Sequence, residues 1–143
     1  LYKFTLNRLQ DNYFKVWHGS CIILRCKAQE KRSLESMLNE IMAIITHAGD
    51  AKSDAFEALE NAREGDFDIA KKLLDKSRTT MIEAHKAQTQ LLQKEAQGDD
   101  MKISILLIHA QDHLMTAKLA QELIEQLIEQ TKEIQELKKI NGL

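Results

Sequence analysis

His109, Asp112 and His113 stand within five residues of one another, and their types and spacing suit three kinds of chemistry. On a helix, residues three and four apart share a face. The two imidazoles would therefore lie one turn apart, while Ile105, Ile108, Asp112, Met115 and Leu119 would line a single stripe. Asp112 is expected in apolar company. A lone carboxylate is costly to bury unless it finds a partner or a cation. One reading is a polar cluster in which Asp112 pairs with a histidine inside the core. A second is a metal site, with His109 and His113 offering nitrogens to one zinc ion as the two histidines of His-Glu-x-x-His proteases do. Ala110 occupies the place of the general-base glutamate, which removes the usual means of hydrolysis. The third is nucleophilic: an imidazole, with a nitrogen free at neutral pH, takes up a phosphoryl group and passes it on. Residue types alone do not choose between the second and the third.

The elements that must position these residues are helices. The 143-residue chain has no proline, five glycines and long stretches rich in Ala, Leu, Ile, Glu, Lys and Gln, the residues that lose least on entering a helix. An all-α fold with one modest core is expected. Leu34, Leu38, Ile41, Ile45, Ala48, Ala55, Leu59 and Ala62 predict a first helix over about 34–63, with Ser33 and Ser36 as caps. Gly49 inside it is read as room for a closely packed neighbour. Glu64-Gly65-Asp66 makes a turn, with a glycine to close one helix and an aspartate to cap the next. The second helix is expected over 67–97. Gln97-Gly98-Asp99-Asp100 repeats the turn chemistry, and a third helix is expected over 101–139, with Lys138 and Lys139 suited to the negative end of its dipole. Short connections make neighbours antiparallel, so the architecture predicted is an up-down-up three-helix bundle. Apolar residues on the third helix come in adjacent pairs: Leu106 and Leu107, Leu114 and Met115, Leu123 and Ile124, Leu127 and Ile128. That is wider than one seam requires and points to self-association.

Residues 1–33 differ in composition. They hold both cysteines, five of the seven aromatics and seven Lys or Arg against Asp11 and Glu30, a net +5 that leaves −7 for the rest of a chain whose total is −2. A boundary is placed at 33/34, giving a leader over 1–33 with no assigned role and a helical domain over 34–143. A basic docking arm is the functional alternative for the leader. The acidic body argues against nucleic acid as a partner, because phosphate backbones are gripped by Lys and Arg. With Cys21 and Cys26 both in the leader, no disulfide can staple the body, as suits a reducing compartment. No stretch approaches the roughly 18 apolar residues of a membrane span, so a cytoplasmic protein without membrane insertion is expected.

The run His109-Ala110-Gln111-Asp112-His113-Leu114-Met115 resembles the signature of the lactose/cellobiose family of enzyme IIA components of the bacterial sugar phosphotransferase system. Ala48-Gly49-Asp50-Ala51-Lys52-Ser53, Glu64-Gly65-Asp66-Phe67 and Glu83-Ala84-His85-Lys86-Ala87-Gln88-Thr89 resemble its other recurrent segments, in the same order. The resemblance spans about residues 38–137. It implies a phosphoryl relay in which His109 accepts from the histidine-containing phosphocarrier protein and gives to a cysteine of the cognate IIB component. It also implies a homotrimer, with Asp112 from each copy gathered about a divalent cation, Mg²⁺ being the expected ion. Gln111 and His113 would shape the phosphoryl pocket, with His85 a further candidate; His47 is assigned a structural role and His18 none. Ala110 and the proline-free turn before the third helix look more like the cellobiose and diacetylchitobiose branch than the lactose branch. The competing function is a non-catalytic trimeric interaction module that keeps the same fold.

Overall fold

A computed structural model describes the backbone of residues 2–98 and 103–141, and the side chains of 27–98 and 103–141. Among these residues the chain forms three helices and no strand: α1 (Tyr2–Glu64), α2 (Phe67–Ala96) and α3 (Ile105–Ile140). It divides into two compact units, Leu1–Leu38 and Asn39–Leu143. The site positions expected from the sequence all lie in the second.

Helix ends follow local chemistry. Gly65 takes a positive φ of 97°, a conformation that costs glycine little. Its N–H donates to the Ala62 carbonyl and that of Asp66 to the Asn61 carbonyl, closing α1. Gln135 Nε2, on α3, donates to the Ala62 and Arg63 carbonyls at 3.3 and 3.4 Å, so a side chain from another helix satisfies the last turn of α1. Asp66 occupies the N-cap position of α2, but its side chain makes no capping hydrogen bond. At α3 the cap is Ser104, whose Oγ accepts from the Leu107 N–H at 3.1 Å. The helix thus begins at Ile105, four residues after the expected start.

α1 is longer at its N-terminal end than its amphipathic pattern predicts, running back to Tyr2 instead of starting at about residue 34. Ala28, Gln29, Glu30, Lys31 and Arg32 are strong helix formers, and nothing in them stops a helix; Ser33 sits in its interior and caps nothing.

Within residues 39–143 the core is built on small residues. On α1, Ile41, Ile44, Ala48, Ala51, Ala55, Ala58 and Ala62 are fully buried, at alternating steps of three and four. The face is rotated slightly from the expected stripe: Ile45 and Leu59 are half-buried, while Leu34 and Leu38 are exposed. α2 contributes Ala70, Leu74, Ser77, Met81, Ala84, Ala87 and Leu91, and α3 contributes Ala110, Leu114, Ala117, Gln121 and Ile124. Gly49 does not pack against a neighbour as expected. A Cβ built there would meet nothing within 4 Å.

Polar contacts fix how the helices meet. Lys94 Nζ bonds both carboxylate oxygens of Glu40, at 2.7 and 2.8 Å, and Lys76 Nζ bonds Asp54 Oδ1 at 2.8 Å. Residue numbers therefore fall along α1 as they rise along α2. The same holds for α2 and α3, where Gln88 meets Gln111 and Arg78 meets Glu125. At the junction of all three helices, buried Ser77 donates to the Ala51 carbonyl at 2.6 Å and accepts from Gln121 Nε2 at 2.7 Å. Buried polar groups are costly unless bonded in this way. Asp54 meets that requirement only in part, because its buried Oδ2 has no hydrogen-bond partner among the described residues.

Candidate functional site

α3 carries the site, and its position is set by which side of the helix is buried. Ala110, Leu114, Ala117, Gln121 and Ile124 face the core. His109, one residue before Ala110, is therefore carried to the edge of the core face and is exposed, while His113, one turn on, is half-buried beside Leu114. Their ring centroids lie 4.5 Å apart with the planes at 66°, an edge-to-face arrangement. The structure thus brings together the two histidines that the sequence paired. No side-chain hydrogen bond to another described residue restrains either ring. An exposed imidazole with a second imidazole against it can accept a group from solution while its neighbour supplies a hydrogen bond or a charge.

Gln111 follows a different direction. Two positions on from His109, it falls on the other side of α3, where its Oε1 accepts from Gln88 Nε2 of α2 at 2.6 Å. Within one chain the two site candidates His109 and Gln111 therefore do not share a side of the helix. Gln88 was not singled out from the sequence as a site residue. The signal was available, since it lies in the same Glu83–Thr89 segment as His85, three positions further on. His85 itself is half-buried on α2 and lines an open depression with Ile82, Lys86, Thr89, Gln90 and Gln93; His109, Gln111 and His113 are not among its lining residues.

Asp112 stands in the apolar company expected of it, and within one chain it is exposed. Its stripe neighbours Ile105, Ile108, Met115 and Leu119 are exposed as well, between 57 and 87 %. The stripe exists, but the chain does not bury it: the core takes the adjacent one, and Leu123 and Leu127 extend the exposed apolar row down the helix. The carboxylate offers two hard oxygens with no hydrogen-bond partner among the described residues; Thr116 Oγ1 bonds the Asp112 backbone carbonyl at 2.8 Å, not the side chain. Among the described residues no three His, Cys, Asp or Glu side chains of one chain converge as a ligand set.

Charges elsewhere serve the scaffold. The Asp54 carboxylate, through its hydrogen bond and then its field, raises the pKa of the Lys76 ammonium, and Glu125 and Asp75 do the same for Arg78. The Arg78–Glu125 pair joins α2 to α3 at 2.9 Å.

Comparison with known proteins bears directly on this arrangement. Residues 39–132 match the family model of the lactose/cellobiose-specific IIA subunit of the phosphotransferase system. The N,N'-diacetylchitobiose-specific EIIA component of Escherichia coli K12 is 47 % identical over 95 residues, covering 66 % of this chain and 82 % of that protein. The lactose-specific EIIA component of Streptococcus mutans is 50 % identical over 86 residues, covering 60 % and 83 %. Among solved structures, a cellobiose-specific enzyme IIA from Bacillus anthracis aligns with a TM-score of 0.68 at 39 % identity, over 69 % of this chain and 91 % of that one. The IIA(chitobiose) component in a complex with HPr, from the Escherichia coli phosphotransferase system, aligns with a TM-score of 0.59 at 43 % identity, over 69 % and 96 %.

Proposed function

Since the chain belongs to the lactose/cellobiose-specific IIA family of the phosphotransferase system, we propose that it relays a phosphoryl group through His109. The observation that carries this reading is the exposed His109 ring with His113 against it at 4.5 Å, inside the segment where the family match falls. In the forward step a nitrogen of neutral His109 attacks the phosphorus of a phosphohistidine on the donor. The donor's N–P bond breaks as the new one forms, and the donor imidazole leaves. In the second step a cysteine thiolate of the IIB component attacks the same phosphorus and His109 leaves as the imidazole it began as. Little covalent chemistry falls to the protein beyond the nucleophile, so positioning and charge neutralisation are its work. His113 supplies a donor to the phosphoryl oxygens. Gln111, held by Gln88 on the other side of α3, and His85 on α2 would support the phosphoryl group of His109 from a neighbouring copy and not within one chain.

HPr is the proposed donor, by extension from the relative whose complex with HPr has been solved. The IIB acceptor follows from the relay. The relatives suggest a cellobiose- or chitobiose-type disaccharide as the sugar whose uptake is served. A cytoplasmic location suits the reading, and among the described residues no helix is long and apolar enough to cross a membrane.

We further propose that the helices form an up-down-up bundle that assembles as a homotrimer through the exposed face of α3. The opposed residue numbering across α1/α2 and α2/α3 supports the first part, and the long apolar row supports the second, because monomers seldom leave such a face uncovered. Asp112 fits a divalent cation in that setting alone. One carboxylate is too few ligands, whereas three symmetry-related ones supply the oxygen donors that Mg²⁺ prefers. The ion would offset the charge that burial of three Asp112 side chains brings together.

Incubation with phosphoenolpyruvate, enzyme I and HPr, followed by intact mass and histidine mapping at neutral to alkaline pH, tests the relay. One phosphoryl group per chain on His109, absent from His109→Ala, is expected. Label on another histidine, or a folded protein that takes up none beside an active IIA control, would refute it and leave a non-catalytic interaction module.

A further inference from the structure

The exposed row of α3 continues past Asp112 to the end of the helix. Leu123, Leu127, Gln130, Ile134, Leu137 and Asn141 follow at steps of three or four. The four apolar residues among them are 45 to 58 % exposed, so the chain's own core leaves them uncovered. Gln130 stands eighteen residues, or about five helical turns, beyond Asp112 and repeats its azimuth. The two flanks of the row differ. Glu129 and Glu133 fall on one side of it, Thr131 and Lys138 on the other. Glu133 and Lys138 make no ion pair among the described residues, and both lie past residue 132, where the family match ends.

We propose that residues 123–141 of α3 join the same segment of other copies in a parallel, in-register coil, in which Gln130 meets Gln130 and Glu133 of one copy meets Lys138 of the next. This arrangement rests on the homotrimer proposed above and gives its α3 helices a direction and a register. Charge decides the direction. In parallel strands a residue just ahead of the seam lies beside the residue five positions later on its neighbour, which is the spacing of Glu133 and Lys138. Antiparallel strands would set the glutamate flank against itself, and like charges placed together repel. Gln130 decides the register. Its amide both donates and accepts, so copies of it can bond one another across the seam. A strand slipped by one heptad would bury it against Leu123 or Leu137 with the amide unpaired, at a cost.

In the full chain carrying Cys21→Ser and Cys26→Ser, Asn141→Cys puts a thiol at the end of the row and Lys132→Cys puts one on the far side of the helix. A short bismaleimide should link copies of the Asn141→Cys chain and leave the Lys132→Cys chain unlinked. Glu133→Lys and Lys138→Glu should each lower the thermal midpoint by about 2–5 °C at low salt, and the two changes together should restore it. Gln130→Leu should raise the midpoint while admitting assemblies other than the trimer; a single trimeric species there overturns the role given to Gln130. Sedimentation equilibrium separates the remaining outcomes. A trimer in which the Asn141→Cys chain does not link, or in which the double change is no more stable than the single ones, overturns the parallel coil and leaves the trimer standing. A monomer overturns both.

Discussion

Ser77→Ala tests the junction at which all three helices are fastened. Ser77 is fully buried, donates to the Ala51 carbonyl and accepts from Gln121 Nε2. The two partners lose unequally. Ala51 is interior to α1, so its carbonyl keeps its helical bond and forfeits a second one, whereas the Gln121 amide, itself 2 % exposed, is left with a buried donor. A net hydrogen bond is worth about 1 kcal/mol, and an orphaned buried donor costs about 1–3 kcal/mol. The substitution should destabilise by about 2–4 kcal/mol, a large share of the roughly 5–15 kcal/mol that holds a domain of this size.

Gln121→Met supplies the control. Alone it removes one bond and leaves the Ser77 hydroxyl with its Ala51 acceptor, costing about 1 kcal/mol. Combined with Ser77→Ala it removes the donor that the first change orphaned. The double variant should therefore be more stable than the sum of the two single effects predicts, by about 1–2 kcal/mol. Urea unfolding followed by far-ultraviolet circular dichroism, at one fixed protomer concentration, measures all four proteins. Additive effects, or a Ser77→Ala cost below about 0.5 kcal/mol, would show that the hydroxyl and the amide are not coupled as the geometry requires.

Ser104→Ala removes the side-chain cap of α3 and should cost about 1 kcal/mol, read as a lower urea midpoint with unchanged slope; an unchanged midpoint would mean that the Leu107 N–H finds another acceptor. Lys76→Met leaves Asp54 buried without its ion pair, so the variant should be less stable than the parent at neutral pH. The Lys76 pKa is raised in the folded chain above its ordinary 10.5. Its contribution is therefore complete below that value and fades as pH rises through the folded one, so the gap between variant and parent should narrow above about pH 10.5. A gap that widens there would contradict the assigned pair. Leu119→Glu places a charge in the exposed row of α3 and should convert the proposed trimer to monomer in analytical ultracentrifugation, with helix content kept; a trimer that persists would move the interface to another face.

Much of the fold was legible because helix periodicity and turn chemistry are local. Gly65 and Gly98 mark turns in the sequence and adopt the left-handed conformation in the structure, and α2 and the end of α3 fall within a residue or two of where the pattern placed them. The starts of α1 and α3 were less legible. Strong helix formers before Ser33 carry no stop signal, so composition shifts there without any change of secondary structure. Ser104 was overlooked because Asp99 and Asp100 offered the same capping chemistry a few residues earlier, and nothing local says which acceptor the first turn will use. At the site, the pairing of His109 and His113 followed from their spacing alone, whereas the Gln88–Gln111 bond joins residues 23 apart and depends on how α2 meets α3.

The exposure of Asp112 within one chain has a physical cause that reaches further. Adjacent apolar residues on a helix are separated by about 100°, so a single neighbouring surface can cover only one of each pair. In α3 the chain buries Leu114 and Ile124 and leaves Met115 and Leu123 outside. Hydrophobicity cannot say which member of a pair the chain keeps. The small residues can: Ala110 and Ala117 continue the row of Leu114 and Ile124 and let α3 approach the alanine-lined face of α1, whereas Asp112 continues the row of Ile108, Met115 and Leu119. A row with a carboxylate in it is a poor core for one chain and a workable seam for several, provided that the charges meet a cation. In the proposed trimer, the apolar pattern around Asp112 would serve a second packing event, one that a single chain can carry in its sequence but cannot complete.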